Sequence, residues 1–228
     1  MNALLAVQQI DRFPRDYLSE VGDIFALFGE NTQDSGNVSY GVWVNGVRYF
    51  VKTAGFPDDP KPPLSHPERV ALLKTAVSIA TTVHHLTLVT LHNVIQSPHG
   101  PMLVYGWVPG ALVRNVLTRF KQLPVADILA VLDKVYDLHV TLAAQGWVAL
   151  DFYDGCLLYD FEQKRLKIMD LDFYRRGEFV NERGRLFGSS RFMSPEEFEK
   201  GATIDQRSNV FTMGSTAVNL LRDGTLDP

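Results

Sequence analysis

Two aspartates, Asp151 and Asp170, have the residue type and setting best suited to chemistry in this chain. Each adjoins a short apolar run of strand character, at residues 148–150 and 166–169. The 19 positions from one aspartate to the other leave room for a loop, a hairpin strand pair and a return, so both acids can reach one edge of a cleft. One could then handle a proton while the other holds a cation. Phosphoryl transfer requires that division of labour, because positioning and charge neutralisation supply most of its rate.

The elements that must position these acids change in kind along the chain. Residues 22–54 have the alternation of strands, and Asn45-Gly46 marks a hairpin turn, the strongest short-range hairpin signal. Two more strands are predicted at 86–95 and 101–108, separated by a short turn that contains proline and glycine. Strands therefore dominate the first half of the chain.

Helical patterns begin within the first half and dominate the second. Five prolines make residues 56–67 a loop, and Pro67 can then open a helix whose apolar positions continue to residue 83. The clearest helix spans 125–145, with one apolar face and with Gly146 at its end. That face is expected to consist of Val125, Ile128, Leu129, Leu132, Val135, Leu138 and Leu142. The other predictions are helices at 111–121, 194–200 and 207–222, strands at about 156–160 and 166–170, and a loop at 171–193.

Composition excludes several classes of function. The chain has 228 residues, 46% of them hydrophobic, and a net charge of -4, so a packed core is expected and a global field that attracts nucleic acid is not. Cys156 is the single cysteine, which fits a reducing compartment. The start lacks a secretory signal, and the most apolar long segment, residues 70–83, is too short and too polar to span a bilayer. We therefore expect a soluble, cytoplasmic protein with no membrane partner.

Several landmarks then occur in a recognisable order. Lys52 ends a strand, residues 102–110 form a strand and a turn, the two aspartates follow apolar runs, and Ser194-Pro195-Glu196 closes a loop. In this order they resemble the protein kinase family across roughly residues 25–222, in a divergent form most similar to bacterial serine/threonine kinases. The resemblance implies an α+β fold of two lobes. The implied parts are an antiparallel-sheet N-lobe at 1–105, a hinge at 106–110, and a mainly helical C-lobe at 111–228 that lacks the last helices of the usual fold.

The resemblance assigns phosphate-binding roles in the N-lobe. Lys52 would reach the α- and β-phosphates of ATP; the alternative is an exposed lysine on an edge strand. Glu68 would pair with that lysine; the alternative is an acid that favours the dipole at the start of its helix. Gly36, in a segment at 32–42 with two glycines rather than three close ones, would turn the chain so that backbone N–H groups face phosphate; a plain hairpin turn is the alternative.

The resemblance also implies an adenine site at the hinge. In protein kinases, backbone groups of this connection bond the adenine edge, and Gly106 and Val108 are the candidate carriers here. Tyr105 would guard the back of the pocket. The alternative is a buried strand that ends in a turn.

The two aspartates take the central roles of the family. Asp151 would accept or orient the proton of the substrate hydroxyl, and Asp170 would bind Mg²⁺, with Leu171-Asp172 following where Phe-Gly is usual. A capping aspartate after a strand is the alternative for Asp151. ATP and Mg²⁺ are the implied cofactors.

Four positions depart from the family pattern. Ala149 stands where histidine is usual, Tyr153 where serine/threonine kinases often have lysine, and Asn209 where an aspartate braces the catalytic loop. Cys156 replaces an asparagine that binds magnesium, and a neutral thiol is a poor ligand for this hard ion. Asp154 is the candidate substitute, acting directly or through water.

The end of the matched region carries its own expectations. Glu196 is expected to lack the arginine that normally pairs with it, because that partner would lie in the missing helices. The helix at 207–222 is apolar on several sides, so without its usual cover it is expected to expose a patch that drives self-association.

Three functions follow from the resemblance. The first is an active ATP-dependent kinase that phosphorylates serine or threonine hydroxyls of a protein. The second is a pseudokinase that binds nucleotide or acts as a scaffold without turnover, favoured by Ala149, Cys156, Asn209 and the sparse glycines of the segment at 32–42. The third is a kinase of small-molecule hydroxyls, which often shows an aspartate-rich version of the sequence around Asp170.

Overall fold

The computed structural model describes residues 2–29, 35–58 and 64–222. They belong to two compact units, one formed by Met1–Thr82 and Val89–Trp107 and the other by Val83–Leu88 and Val108–Pro228. Helices and antiparallel strand pairs occur in both units, so the predicted α+β class is confirmed. The kinase-like arrangement within that class stays a prediction. Within the described residues, no helix is long and apolar enough to cross a membrane.

The first unit contains a five-stranded antiparallel sheet in the order β1-β2-β3-β5-β4. Its strands are β1 (Asp23–Phe28), β2 (Val38–Val44), β3 (Val47–Thr53), β4 (Leu91–Ser97) and β5 (Gly100–Gly106). Asn45 and Gly46 have φ of 53° and 78°, the left-handed pair that a tight hairpin turn requires, so the predicted hairpin is confirmed. The strand predicted from residue 86 is wrong at its start, because Leu88 instead makes an isolated bridge to Ile168 in the second unit.

Helices cover both faces of this sheet. They are α1 (Ala3–Ala6), α2 (Pro14–Val21) and α3 (His66–Thr82), of which only α3 is predicted from the sequence. Leu4 and Leu18 share a buried core with Val104 of β5. Leu73 of α3 shares another core with Leu103. Because successive strand residues point to opposite faces, the N-terminal helices and α3 lie on opposite sides of the sheet.

The second unit is mainly helical with short strand pairs. Its longer elements are α4 (Leu117–Lys121), α5 (Val125–Ala144), β8 (Leu157–Asp160), β9 (Arg165–Ile168) and α6 (Gln206–Leu221). Its short elements are β6 (Ala111–Leu112), β7 (Trp147–Val148), β10 (Arg175–Arg176), β11 (Phe179–Val180), β12 (Thr203–Ile204) and 3-10 turns at Val113–Val116, Asp154–Cys156 and Pro195–Phe198. The helix predicted at 111–121 is therefore wrong in its first half, where residues 111–112 pair with β8. The helix predicted at 194–200 is a single 3-10 turn.

Helix α5 confirms the clearest helical prediction and corrects its face. Gly146, with φ of 80°, follows the helix and donates its N–H to Ala143 O at 2.9 Å. Val125 and Leu129, placed on the core face by their spacing, are 64% and 47% exposed. Val131 is buried instead, so the core stripe is rotated around the helix. The buried residues are Ile128, Val131, Leu132, Val135, Leu138, His139 and Leu142.

Helix α6 has an inverted distribution of polarity. It buries Ser208, Asn209, Thr212, Thr216, Asn219 and Leu220. Val210 is 72% exposed, and Phe211, Val218 and Leu221 are each 42% exposed. The exposed apolar surface expected from the sequence is therefore present on this helix, while the self-association inferred from it stays a prediction.

Candidate active site

Asp151 and Asp170 share an unusual backbone conformation. Their φ angles are 53° and 65°, in the left-handed region that residues other than glycine seldom occupy. Such a conformation is unfavourable by roughly 1–2 kcal/mol per residue, and residues held in it are concentrated at functional sites. Asp151 is half-buried and Asp170 is exposed. Aspartate enters this region more readily than most residues, and Asn45 and Lys164 also occupy it, so the shared conformation marks the two acids as candidates without assigning them a role.

The thiol of Cys156 joins the two aspartates. Its Sγ lies 3.6 Å from the carbonyl oxygen of Asp151 and 4.0 Å from that of Asp170. The side chain is completely buried. The hairpin of β8 and β9, with Leu157 opposite Ile168, returns the chain so that the second aspartate reaches the first. The backbones of the two aspartates therefore lie close together, and convergence of their carboxylates on one site stays a prediction.

Asn209 supports the chain just before Asp151. Its Oδ1 accepts from Ala149 N at 2.6 Å, and its Nδ2 donates to Trp147 O at 3.2 Å and to Gln206 Oε1 at 2.6 Å. The amide thus braces this loop although the resemblance expects an aspartate here. An amide offers a donor as well as an acceptor, which is why it can hold both an N–H and a carbonyl of the loop.

A buried histidine lies behind the same loop. The ring of His139 contacts the ring of Phe152 at a centroid distance of 4.5 Å. Burial lowers the pKa of His139 from 6.5 to about 4. The neutral ring therefore donates from Nδ1 to Val135 O at 2.7 Å and accepts at Nε2 from the hydroxyl of Tyr174 at 2.7 Å. Sequence reasoning missed this residue, because a lone histidine on an apolar helix face carries no distinctive spacing.

Asp154 is placed differently from its predicted role. The carboxylate is almost completely buried, and its Oδ2 accepts from Asn219 Nδ2 of α6 at 3.1 Å. The same oxygen lies 3.8 Å from Nη2 of Arg191. These contacts favour a role in fixing the 3-10 turn to α6. Magnesium binding by Asp154 stays a prediction that this geometry does not favour.

The donor set limits how a magnesium ion could be held. In the part of the chain that the structure describes, no group of three His, Cys, Asp or Glu side chains is arranged to hold a metal. Asp170 offers an exposed carboxylate, whereas Cys156 offers sulfur where a hard oxygen is preferred. Mg²⁺ is commonly held by one or two carboxylates together with substrate phosphates and water. The residues present fit a magnesium ion that arrives with a triphosphate, not a preformed protein cage.

The segment at residues 186–193 lies against Asp151. A Cβ at Gly188, where φ is 147°, would sit 3.6 Å from Asp151 Cα and 3.1 Å from the side chain of Met193. Asp151 lines a narrow crevice together with Ser189 and Phe192, among other residues. A substrate hydroxyl that reaches Asp151 would therefore have this segment as a neighbour.

The closing motif after that segment is built as a capped turn. Ser194 N donates to Glu197 Oε1 at 2.8 Å and Ser194 Oγ donates to the same oxygen at 3.1 Å. Burial raises the pKa of Glu197. Glu196, expected without its usual arginine, accepts instead from Ser208 Oγ at 2.7 Å. Both acids therefore tie the motif together locally and to α6.

Tyr153 replaces a cation beside the catalytic candidate. Burial raises the pKa of its phenol, with the nearby Cys156, Asp170 and Asp151 acting in the same direction, so the hydroxyl stays neutral. The guanidinium of Arg114 lies 5.9 Å above the ring. Positive charge near this loop therefore comes from Arg114 and from Arg191, whose guanidinium lies 3.8 Å from the carboxylate of Asp154.

Lys52 occupies a central strand in the first unit. It lies opposite Ser39 of β2 and Leu103 of β5, and it is only 7% exposed. The alternative of an exposed lysine on an edge strand is therefore wrong. A buried ammonium group requires compensating partners, whether they are structural or functional. Convergence of Lys52 with the two aspartates stays a prediction.

Gly36 contacts Arg69, the residue that follows Glu68 in α3. Gly36 has φ of 84°, and its carbonyl oxygen accepts from Arg69 Nη1 at 2.7 Å. Residues 32–34 of the same predicted loop lie outside the described residues. Glu68 Oε2 accepts from the backbone N and from Oγ of Ser65, each at 2.8 Å, which caps the start of α3. This contact supports the helix-terminus interpretation of Glu68, and its pairing with Lys52 stays a prediction.

The predicted hinge begins at Gly106, the last residue of β5, and continues beyond the strand. Gly106 is paired with Tyr49, and Trp107 N donates to Arg48 O at 3.1 Å. A Cβ on Gly106 would lie 2.9 Å from Nε2 of His92, so glycine is suited to this close approach. Val108 is the first residue after this unit. Binding of adenine by Gly106 and Val108 stays a prediction.

Comparison with known proteins gives limited support for a relationship. No protein-family model matches the chain. The chain is similar to serine/threonine-protein kinase 1 of African swine fever virus, from the Pretoriuskop and Namibian warthog isolates, with 23% identity over 121 residues in each case. That match covers 53% of this chain and 41% of each viral protein. The chain thus matches about two fifths of these relatives' length, which indicates a kinase-like relationship at most.

Proposed function

We propose that this chain is a protein-kinase-like phosphotransferase that uses ATP with Mg²⁺ and transfers the γ-phosphate to a serine or threonine hydroxyl. The observation that carries the proposal is the meeting of Asp151 and Asp170 around the Cys156 thiol, with both aspartates in the left-handed conformation. The similarity to a viral serine/threonine-protein kinase supports the same reaction class.

Each candidate residue has a role under this proposal. Asp151, half-buried beside the segment at 186–193, orients the acceptor hydroxyl and takes its proton. Asp170, with its exposed carboxylate, holds the magnesium ion, which neutralises phosphate charge when bound. Lys52 holds the α- and β-phosphates. The proposed fold is the two-lobed one, with the boundaries expected from the sequence.

The remaining binding residues serve the nucleotide. Gly36 turns the phosphate-covering segment, while Gly106 and Val108 offer backbone groups to the adenine edge. Glu68 caps α3 and is proposed only as a secondary partner of Lys52, because its oxygen already accepts two hydrogen bonds from Ser65.

The test compares Asp151→Asn with a matched substitution. Asp133→Asn changes an exposed carboxylate on α5, away from the proposed chemistry. ATP binding is measured by thermal shift with and without Mg²⁺, and phosphate transfer is measured with a mixture of protein substrates. We expect Asp151→Asn to lose about 10²–10⁴-fold in transfer rate and Asp133→Asn to match the wild type. Equal transfer by all three proteins would refute the role of Asp151, and failure of the wild type to bind ATP would refute the whole proposal.

A second candidate function is a nucleotide-binding pseudokinase. Two residues favour it because neither is placed to bind magnesium. The sulfur of Cys156 faces two backbone carbonyls where an oxygen ligand is usual, and the carboxylate of Asp154 accepts from Asn219. ATP binding without transfer that depends on Asp151 would support this function over the first.

A further inference from the structure

Arg69, in the first turn of α3, is a completely buried arginine. Its Nη1 donates to Gly36 O at 2.7 Å and its Nη2 donates to Phe56 O at 2.9 Å. A buried guanidinium carries a large desolvation penalty, so its presence calls for contacts that a smaller side chain does not provide. The planar fork spans two carbonyl oxygens that belong to separate segments of the chain.

The two segments held by Arg69 are also packed against each other. Gly55 has φ of 72°, and a Cβ there would lie 2.6 Å from Gly36 O and 2.9 Å from Arg69 Nη1. There is no room for a side chain at this position. The turn at Gly36, the turn at Gly55 and the guanidinium therefore form one closely packed junction.

This junction adjoins the strand position of Lys52. Ser39 lies opposite Lys52, and Val38 lies opposite Thr53 at the same end of the hairpin. Thr53 Oγ1 donates to Val38 O at 2.7 Å, which gives the segment a second anchor. Gly36 is three residues from the partner of Lys52, so the position of this turn is set next to the lysine.

We propose that Arg69 is a positioning residue, which holds the Gly36 turn in the conformation that receives the nucleotide phosphates beside Lys52. The inference rests on the proposed function, because it concerns the same nucleotide site. Arg69 acts through backbone carbonyls and so occupies none of the N–H groups that a phosphate could use, although Asn37 N already donates to Ser35 Oγ at 3.3 Å. Through this contact, the start of α3 determines where the turn lies.

The experiment uses the full chain with Arg69→Met, Arg69→Lys and a matched control, Leu73→Ala. Methionine keeps much of the volume but donates no hydrogen bond, and lysine keeps the charge but lacks the fork. Leu73 is buried on the same helix in the core shared with Leu103. Amide hydrogen exchange at residues 35–38 and 54–57 is measured without nucleotide, and the Kd for Mg-ATP is measured for each protein.

We expect Arg69→Met to raise exchange selectively at these two segments and to raise the Kd by about tenfold, with Arg69→Lys intermediate. Leu73→Ala should lower the melting temperature while leaving the Kd near the wild-type value. If Arg69→Met is too unstable to measure, the test uses Arg69→Lys, for which amide exchange at the two segments and the Kd for Mg-ATP are also expected to rise.

A Kd for the Arg69 variants equal to that of the wild type or of Leu73→Ala would overturn the inference while leaving the proposed function intact. Failure of the wild type to bind Mg-ATP would overturn the proposed function and the nucleotide role of Arg69 with it. The wild-type measurement therefore separates the two failures.

Discussion

Acidification should destabilise the protein through His139. Its folded-state pKa of about 4 lies below the ordinary value of 6.5, because the ring is buried between Val135 O and the Tyr174 hydroxyl. As pH falls below 6.5, the unfolded chain binds the proton first. The stability that the neutral ring of His139 contributes is therefore lost between pH 6.5 and 4, and this contribution is constant above that window. At about 1.4 kcal/mol per pKa unit, the full loss is ~3 kcal/mol, of which about 2 kcal/mol has been lost at pH 5.

The assay is urea unfolding at pH 7.5 and pH 5 for the wild type and His139→Gln. Glutamine can donate to one neighbour and accept from the other without titrating. We expect the wild type to lose about 2 kcal/mol more than His139→Gln between the two pH values. Leu138→Val, a buried change on the same helix, controls for packing and should lower stability equally at both pH values.

The change in unfolding free energy between the two pH values is measured for each protein, and the value for His139→Gln is subtracted from that for the wild type. The subtraction removes the effect of carboxylates elsewhere, which titrate in both proteins. An identical pH dependence for the wild type and His139→Gln would refute the assignment of a neutral, buried ring. A larger loss of unfolding free energy in His139→Gln than in the wild type would mean that folding raises the pKa of His139 instead of lowering it.

Three other measurements test the site and the surface of α6. Lys52→Met should raise the Kd for Mg-ATP by at least about tenfold, and an unchanged thermal shift would contradict its phosphate role. Asn209→Leu should lower the free energy of unfolding by about 2–3 kcal/mol, since Ala149 N–H loses its acceptor; equal urea midpoints would contradict this. Replacement of both Val210 and Phe211 by lysine should reduce self-association in sedimentation experiments, and a wild type that is already strictly monomeric would contradict the premise.

Local chemistry explains what the sequence predicts well. The Asn45-Gly46 hairpin depends on backbone preferences of two adjacent residues, and α5 depends on a period repeated over five turns. Both elements can therefore be predicted from residues that are close together in the sequence. The edges of the buried face of α5 cannot be predicted in this way, because exposure of Val125 and Leu129 depends on which other elements lie beside the helix.

Contacts between distant residues leave no local pattern in the sequence, although the resemblance already marks position 209 as the one that braces the loop. Arg69 reaches Gly36 across 33 positions, and Asn209 reaches Ala149 across 60. Neither contact has a local signature, because an arginine near a helix start and an asparagine in a helix usually face water. The resemblance identifies Asp151 and Asp170 as a pair, but the thiol that joins their backbones is seen only in the folded chain.

The left-handed aspartates bear on how this chain tolerates change. Glycine occupies such φ values without steric penalty, so Asp151→Gly or Asp170→Gly would relieve roughly 1 kcal/mol of backbone strain at each position. Asn45 and Lys164 occupy the same region in hairpin turns, and the entropy that glycine loses on folding offsets part of this gain, so the conformation alone assigns no function. Under the proposed function, glycine at either site would keep the fold and remove the carboxylate, so stability and phosphate transfer would respond separately to the same substitution.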